Sequence, residues 1–185
     1  HAAGANRLVQ VLRELRKKSV THCTMFGFST ENWKRPEAEI NAIWSVMEQS
    51  ARRFYDALMD EGVILKVLGD LTDERIPSSL RELLERMQRE TLQRQESNKD
   101  AVTLCLAINY GGRQDIINAS KRLAVLIAEG AVDPDAVNES TLALCLGTSG
   151  MPDPDLIIRT SGETRLSNFL LWNSAYAELY FTDTL

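Results

Sequence analysis

The chain has 185 residues, with 21 Lys+Arg against 26 Asp+Glu and a formal net charge of −5. At 44% hydrophobic and 25% charged it has the balance of an ordinary globular protein, which excludes a disordered chain and argues against non-specific nucleic-acid binding, since that needs a basic surface. No apolar run approaches the ~20 residues of a membrane span, and nothing at the start resembles a signal peptide.

The chain opens at His1 rather than Met, and Leu8, Val11, Leu12 and Leu15 give a helical stripe to about Lys18. The start falls inside an element, so a truncated N-terminus is expected, and the abrupt end at Leu185 suggests the same for the C-terminus. Cys23 to Phe28 is a short buried strand, ending at Ser29-Thr30. Pro36 suits the first turn of a long amphipathic helix carrying Ile40, Ile43, Trp44, Met47, Ala51, Phe54 and Leu58, and Gly62 stops it. Val63 to Leu68 is a second strand, closed by Gly69-Asp70. Ser78 or Ser79 caps a helix with Leu80, Leu83, Leu84 and Met87 inside and a solvated, charged outer face over residues 81–96.

Val102 to Ile108 is a third strand, followed by Asn109-Tyr110-Gly111-Gly112 and a helix from Arg113 to Ala128. Asp133-Pro134 marks a turn, Glu139 to Leu146 a short helix, Asp155 to Arg159 a fourth strand and Leu179 to Phe181 a fifth. Alternating strands and helices define an α/β protein: a single domain with a mostly parallel central sheet and helices on both faces. In such sheets ligands bind beyond the carboxyl ends of the strands, so the segments after the strands hold the candidate site.

After the first strand comes Ser29-Thr30-Glu31-Asn32-Trp33-Lys34-Arg35-Pro36, and after the fourth Arg159-Thr160-Ser161-Gly162-Glu163-Thr164-Arg165-Leu166-Ser167-Asn168. Both are polar, both hold Arg, and both are expected at one edge of the sheet. Guanidinium forks pair bidentately with phosphate, and hydroxyls and backbone N–H groups fill the remaining lone pairs, so the second segment suits a phosphate or diphosphate. The Asn32 amide is able to orient a reacting group or to accept from one. Trp33 walls a site or fills the core. Glu178, in an apolar stretch, is paired with an Arg or binds a hard cation. Cys23, Cys105 and Cys145 have no metal or redox spacing; they read as free, mostly buried thiols in a reducing, cytosolic setting, and with His1 and His22 they offer no zinc site. There is no GxxxxGK[ST], GxGxxG or GxSxG, which leaves P-loop, dinucleotide and nucleophile-elbow chemistry unsupported.

The segment Ser29 to Pro36 resembles the Ser-x-Glu-Asn-Trp-x-Arg-Pro motif of the cis-prenyltransferases, the undecaprenyl and dehydrodolichyl diphosphate synthase family. Asn109-Tyr-Gly-Gly-Arg113 resembles a second block of that family, and Arg159 to Trp172 with Tyr176 to Phe181 a third; His1-Ala-Ala-Gly4 looks like the end of the first. The resemblance implies condensation of isopentenyl diphosphate onto an allylic diphosphate such as farnesyl diphosphate, with Mg²⁺, an alkyl transfer forming a cis double bond. It implies that Arg159, Arg165 and Ser167, with Leu166 beside them, hold isopentenyl diphosphate. His1 and Arg35 contact the allylic diphosphate, Asn32 assists proton loss, and Ser29, Thr30, Glu31 and Trp33 line the site. Glu178 helps bind Mg²⁺, the wide stripe from Ile40 to Leu58 walls a product tunnel, and Gly27 leaves room near its entrance. A homodimer follows by the same resemblance, as does a cytoplasmic location with peripheral membrane contact, or a plastid one in a plastid-bearing eukaryote. Two departures stand out: Thr164 occupies a position where bacterial members often carry His, and the family's upstream Asp-Gly-Asn-Gly-Arg-Trp block, with its magnesium-binding Asp, is not in these residues, so this stretch alone is expected to be inactive. The alternatives are a non-catalytic partner subunit of such an enzyme and a generic phosphate-binding α/β module.

Overall fold

The structure, a computed structural model, describes residues 2–95, 98 and 101–184. The chain forms two compact units, His1–Asn109 and Tyr110–Leu185. In the first, α1 (Ala2–Lys17) leads to β1 (His22–Ser29), a short 3-10 turn (Thr30–Lys34), α2 (Glu37–Asp60), β2 (Val63–Leu68), α3 (Ser78–Gln95) and β3 (Val102–Tyr110), whose last residue opens the second unit. The second unit continues with α4 (Gly112–Ala128), α5 (Glu139–Ala143), β4 (Leu156–Arg159) and β5 (Glu178–Phe181).

The strands of the first unit form a sheet in the order β1-β3-β2. β2 and β3 run parallel, from Val63 opposite Val102 to Leu68 opposite Ala107. β3 is the central strand: eight of its nine residues are buried, so its apolar run packs on both faces, as in covered parallel sheets. Leu12 of α1, Ile40, Trp44, Phe54 and Leu58 of α2, and Leu80, Leu84 and Met87 of α3 close one core with Phe28, Leu65, Leu104 and Ile108 of the sheet. The stripe read from Ile40 to Leu58 is thus a true helical face. Gly62, at φ 67°, takes the left-handed turn that ends α2, a conformation costly for a residue with a Cβ.

The charged span of α3 departs from a purely solvated face. Thr91 is fully buried; its hydroxyl donates to the Met87 carbonyl at 2.7 Å and accepts the Leu65 N–H at 3.0 Å. Gln88 Oε1 accepts the Val67 N–H at 2.8 Å. Two helix side chains therefore satisfy donors on the outer edge of β2, which no further strand covers among the described residues. Ser79 does not cap α3: its hydroxyl donates to Glu48 at 2.9 Å, while the Pro77 carbonyl accepts from Leu80 and Arg81.

In the second unit β4 and β5 pair in parallel as a two-stranded sheet, Leu156 opposite Glu178 and Arg159 opposite Phe181. The loop after the fourth strand therefore leaves this smaller sheet, and the loop after the first strand leaves the three-stranded one. Ala119, Leu123, Cys145 and Leu146 form the core of the second unit. Cys105 and Cys145 are buried as expected, and Cys23 is half-buried. Among the described residues no helix is long and apolar enough to cross a membrane.

Candidate active site

In the first unit, the end of β1 turns sharply because its polar residues cap the following turn. The Ser29 hydroxyl accepts the Glu31 N–H at 3.2 Å, and the Ser29 N–H donates to Asn32 Oδ1 at 2.8 Å. This reciprocal arrangement satisfies donors that a short helix leaves orphaned. It also orients the Asn32 amide: the oxygen is turned to the Ser29 N–H, and the NH₂ group is a donor of the kind that suits a diphosphate oxygen. Arg35 follows the turn, about half exposed and ion-paired with Glu39 one helical turn on. Thr30 is half-buried and Glu31 exposed.

Trp33 both fills the core and faces the turn. Its ring packs edge-on to Phe28 with centroids 4.9 Å apart, and its indole N–H donates to Asn109 Oδ1 at 2.8 Å. The Arg75 guanidinium lies over the ring, 4.0 Å from its centroid. Arg75 in turn makes two bonds to Asp73, at 2.9 and 2.6 Å, and this fork holds the Asp73 carboxyl down to about 2 against an ordinary 3.8.

Beside this turn lies an apolar cavity of about 500 Å³. Met25, Phe26 and Gly27 of β1, Ile43, Met47 and Phe54 of α2, Leu84 and Met87 of α3 and Leu104, Leu106 and Ile108 of β3 contribute to its wall, with Glu39 as the charged residue of its lining among the described residues. Gly27 lies two residues before Ser29, so the polar turn and the apolar cavity share one strand. The absence of a side chain at Gly27 matters: a Cβ there would lie 3.3 Å from the Met47 terminal methyl and 3.4 Å from the Ala107 carbonyl oxygen.

In the second unit, Arg159 ends β4, half-buried, with no ion pair among the described residues. The loop beyond it is held in an uncommon shape. Ser161, Gly162, Ser167, Asn168 and Leu170 all have positive φ, between 43° and 70°. Such residues cost of order 1–3 kcal/mol each outside glycine and persist only where their surroundings fix them. Here the Ser161 and Gly162 N–H groups donate to the carbonyls of Thr184 and Thr182. At the other end the Gly112 N–H donates to the Asn168 carbonyl at 2.7 Å and the Arg113 N–H to Asn168 Oδ1 at 2.9 Å. The start of α4 thus grips the loop through Asn168. Within the loop Arg165 pairs with Glu163 and is exposed, Thr164 is exposed, and Leu166 and Ser167 are half-buried.

Glu178 opens β5 and is exposed, with no ion pair among the described residues, so the Arg-paired reading is not what the structure has. Among the described residues no three His, Cys, Asp or Glu gather as a metal site. The exposed Glu178 carboxylate still fits Mg²⁺, which takes one or two carboxylates and fills its remaining positions with substrate phosphates and water. His1 lies outside the described residues.

The resemblance named the Asn109 and Arg159 blocks but gave Asn109 and Asn168 no task. Arg75 and Asp73 carry no signal in the sequence, because an Asp-x-Arg in a loop is common and their target, Trp33, is distant.

The comparisons with known proteins agree on one family. The profile of a family described as putative undecaprenyl diphosphate synthase matches residues 1–185. An isoprenyl transferase of Heliobacterium mobile is 42% identical over 185 residues, all of this chain and 68% of that one. A ditrans,polycis-undecaprenyl-diphosphate synthase, (2E,6E)-farnesyl-diphosphate specific, from Legionella pneumophila is 40% identical over 99% of this chain and 74% of its own. Among solved structures, a probable undecaprenyl diphosphate synthase of Campylobacter jejuni superposes with a TM-score of 0.82 at 34% identity, covering 100% of this chain and 82% of that one. Lavandulyl diphosphate synthase from Lavandula x intermedia, in complex with dimethylallyl diphosphate, gives 0.87 at 29% identity over 98% and 76%. A full-length profile match and relatives at 40% identity or more place this chain in the undecaprenyl diphosphate synthase family of cis-prenyltransferases.

Proposed function

We infer that the protein, as one catalytic domain, elongates an allylic diphosphate with isopentenyl diphosphate to give a polyprenyl diphosphate with a new cis double bond. The observation that carries this reading is the closeness of an apolar cavity of about 500 Å³, walled by Gly27 of β1 and by Glu39, to the polar turn that bears Asn32 and to Arg35, the ion-pair partner of Glu39. An amphiphile with a diphosphate head and a hydrocarbon tail needs those two surfaces side by side.

In the reaction, the isopentenyl terminal carbon bonds to allylic C1, the C1–O bond breaks, and diphosphate leaves with the electron pair. A proton is then lost from isopentenyl C2. The Arg35 guanidinium, exchanging Glu39 for the allylic diphosphate, neutralises charge that grows on the leaving group. The Asn32 NH₂ group donates to the same diphosphate and fixes its direction. Asn is too weak a base to take the proton itself, so a diphosphate oxygen oriented by Asn32 and Arg35 receives it. Arg159, Arg165 and Ser167 bind isopentenyl diphosphate, supported by a half-buried Arg159 with no ion pair among the described residues and a loop whose backbone is fixed at both ends. Glu178 is the candidate carboxylate for Mg²⁺, which supplies further charge neutralisation to diphosphate. The cavity wall excludes water from the growing chain.

A homodimer accords with the apolar side chains that β4, β5 and the turn before β5 expose: Leu156, Ile158 and Tyr180 are at least half exposed and Tyr176 is 99% exposed. A cytoplasmic enzyme touching the membrane accords with a lipid product.

The test is incubation of the intact protein with farnesyl diphosphate, labelled isopentenyl diphosphate and Mg²⁺. Chain-extended products are expected. A folded protein that extends no allylic primer refutes the reading, and stabilisation by nucleotides but not by prenyl diphosphates would favour a generic phosphate-binding module instead.

A further inference from the structure

Trp33 is the fourth residue of a five-residue 3-10 turn with no fully buried residue. Turns of this kind have poor hydrogen-bond geometry, and the Ser29–Asn32 cap shapes this one at its start without fixing its direction. Its tertiary contacts therefore set where the turn points, and two of them come from residues without an assigned role. Asn109 accepts the indole N–H at 2.8 Å, and the Arg75 guanidinium covers the ring at 4.0 Å.

The two arms are joined. Asn109 Nδ2 donates to the Asp70 carbonyl at 2.9 Å and reaches Asp73 Oδ2 at 3.4 Å, the same carboxylate that binds Arg75 through both oxygens. The geometry depends on a close approach of the loop after β2 to the end of β3. Gly69, at φ 108°, permits it, because a Cβ there would stand 2.1 Å from the Ile108 carbonyl oxygen. Asn109 itself is left-handed at φ 49°, a conformation Asn tolerates better than most residues. Two of the Arg75 donors are taken by Asp73, so its fork is engaged in holding position.

We propose that Arg75, Asp73 and Asn109 are positioning residues for the allylic substrate: by clamping the Trp33 indole they fix the turn Thr30–Lys34, and with it the directions of the Asn32 amide and the Arg35 guanidinium. This rests on the prenyl-transfer reading. Arg75 is 60% exposed in its side chain, so its removal leaves the core intact. Lys in its place keeps a charge over the ring but not the two-point grip on Asp73.

The test combines kinetics with ¹⁹F NMR of the intact protein labelled with 5-fluorotryptophan. Its three Trp residues give three resonances, and Trp33→Phe identifies that of Trp33. In Arg75→Ala and Asp73→Asn the Trp33 resonance is expected to move. kcat/KM for farnesyl diphosphate is expected to fall about 10- to 100-fold, the effect of misplacing a reacting group by about 1 Å, with the isopentenyl diphosphate KM unchanged within about twofold. Arg75→Lys falls between. A Trp33 resonance that stays in place in a folded Arg75→Ala protein overturns the clamp, as does an equal rise in the KM of both substrates. The resonance needs no turnover, so an inactive wild-type protein would refute prenyl transfer while the shift alone decided the clamp.

Discussion

Gly27 is the most direct point at which to change product length. It lines the apolar cavity and lies two residues ahead of the turn that holds Asn32 and Arg35. A methyl group there meets the flexible Met47 terminus at 3.3 Å and the Ile108 side chain at 3.5 Å, so Gly27→Ala is accommodated by a small shift of Met47. Its effect on stability is expected within about 1 kcal/mol, since replacing a strand glycine gains roughly what the contact costs. Gly27→Leu differs in kind, because an isobutyl group has nearly the bulk of one isoprene unit and enters the cavity. Burial of hydrocarbon is worth about 0.8 kcal/mol per carbon, so an isoprene unit kept out of the cavity loses up to about 4 kcal/mol, roughly a thousandfold in the partition between another elongation and release. Products separated by reversed-phase chromatography and mass spectrometry should therefore shorten by at least one isoprene unit in Gly27→Leu, while the first condensation proceeds at a rate much closer to wild type. An unchanged product distribution would refute the assignment of the cavity as the path of the growing chain.

Arg159→Ala should raise the isopentenyl diphosphate KM about 10- to 100-fold in steady-state assays and leave the farnesyl diphosphate KM in place, as loss of a charge-assisted hydrogen bond predicts. Glu39→Gln frees Arg35 from its ion pair, but an exposed pair one helical turn apart is worth only about 0.3–0.5 kcal/mol, so the farnesyl diphosphate KM should fall no more than about twofold. Gly112→Ala places a Cβ 2.9 Å from the Leu171 backbone nitrogen, and chemical denaturation should show a loss of about 1–3 kcal/mol. Asp73 is held at about 2 in the fold, below its ordinary 3.8, so its contribution to stability is present above about pH 4 and is lost as the pH falls through 2. Urea denaturation from pH 5 to pH 2 should accordingly show a steeper acid loss in the wild type than in Asp73→Asn.

The elements that could be read from the sequence are those whose cause is local. The helix from Glu37 to Asp60 announces itself because every third or fourth residue must face one core, and Gly62 ends it for a reason contained in its own backbone. β3 is legible because a strand covered on both faces has no polar alternation to conceal it. Contacts between distant residues leave no such period. Trp33 and Asn109 are 76 positions apart, and a hydrogen bond between an indole and an amide imposes nothing on the residues between them. Thr91 and Gln88 look like part of a solvated face because their neighbours are charged, yet an uncovered strand edge draws both inward, and the need for that partner is visible only once β2 is known to be at the edge. The same distinction applies to the site. Asn32 and Arg35 stand out as chemical groups in a motif, whereas the direction in which they act is set by Asn109, near the end of β3, and by Asp73 and Arg75, in the loop after β2. A motif therefore identifies the groups that touch substrate more readily than those that aim them, and the second kind is where a mutation distant in sequence should alter catalysis without unfolding the chain.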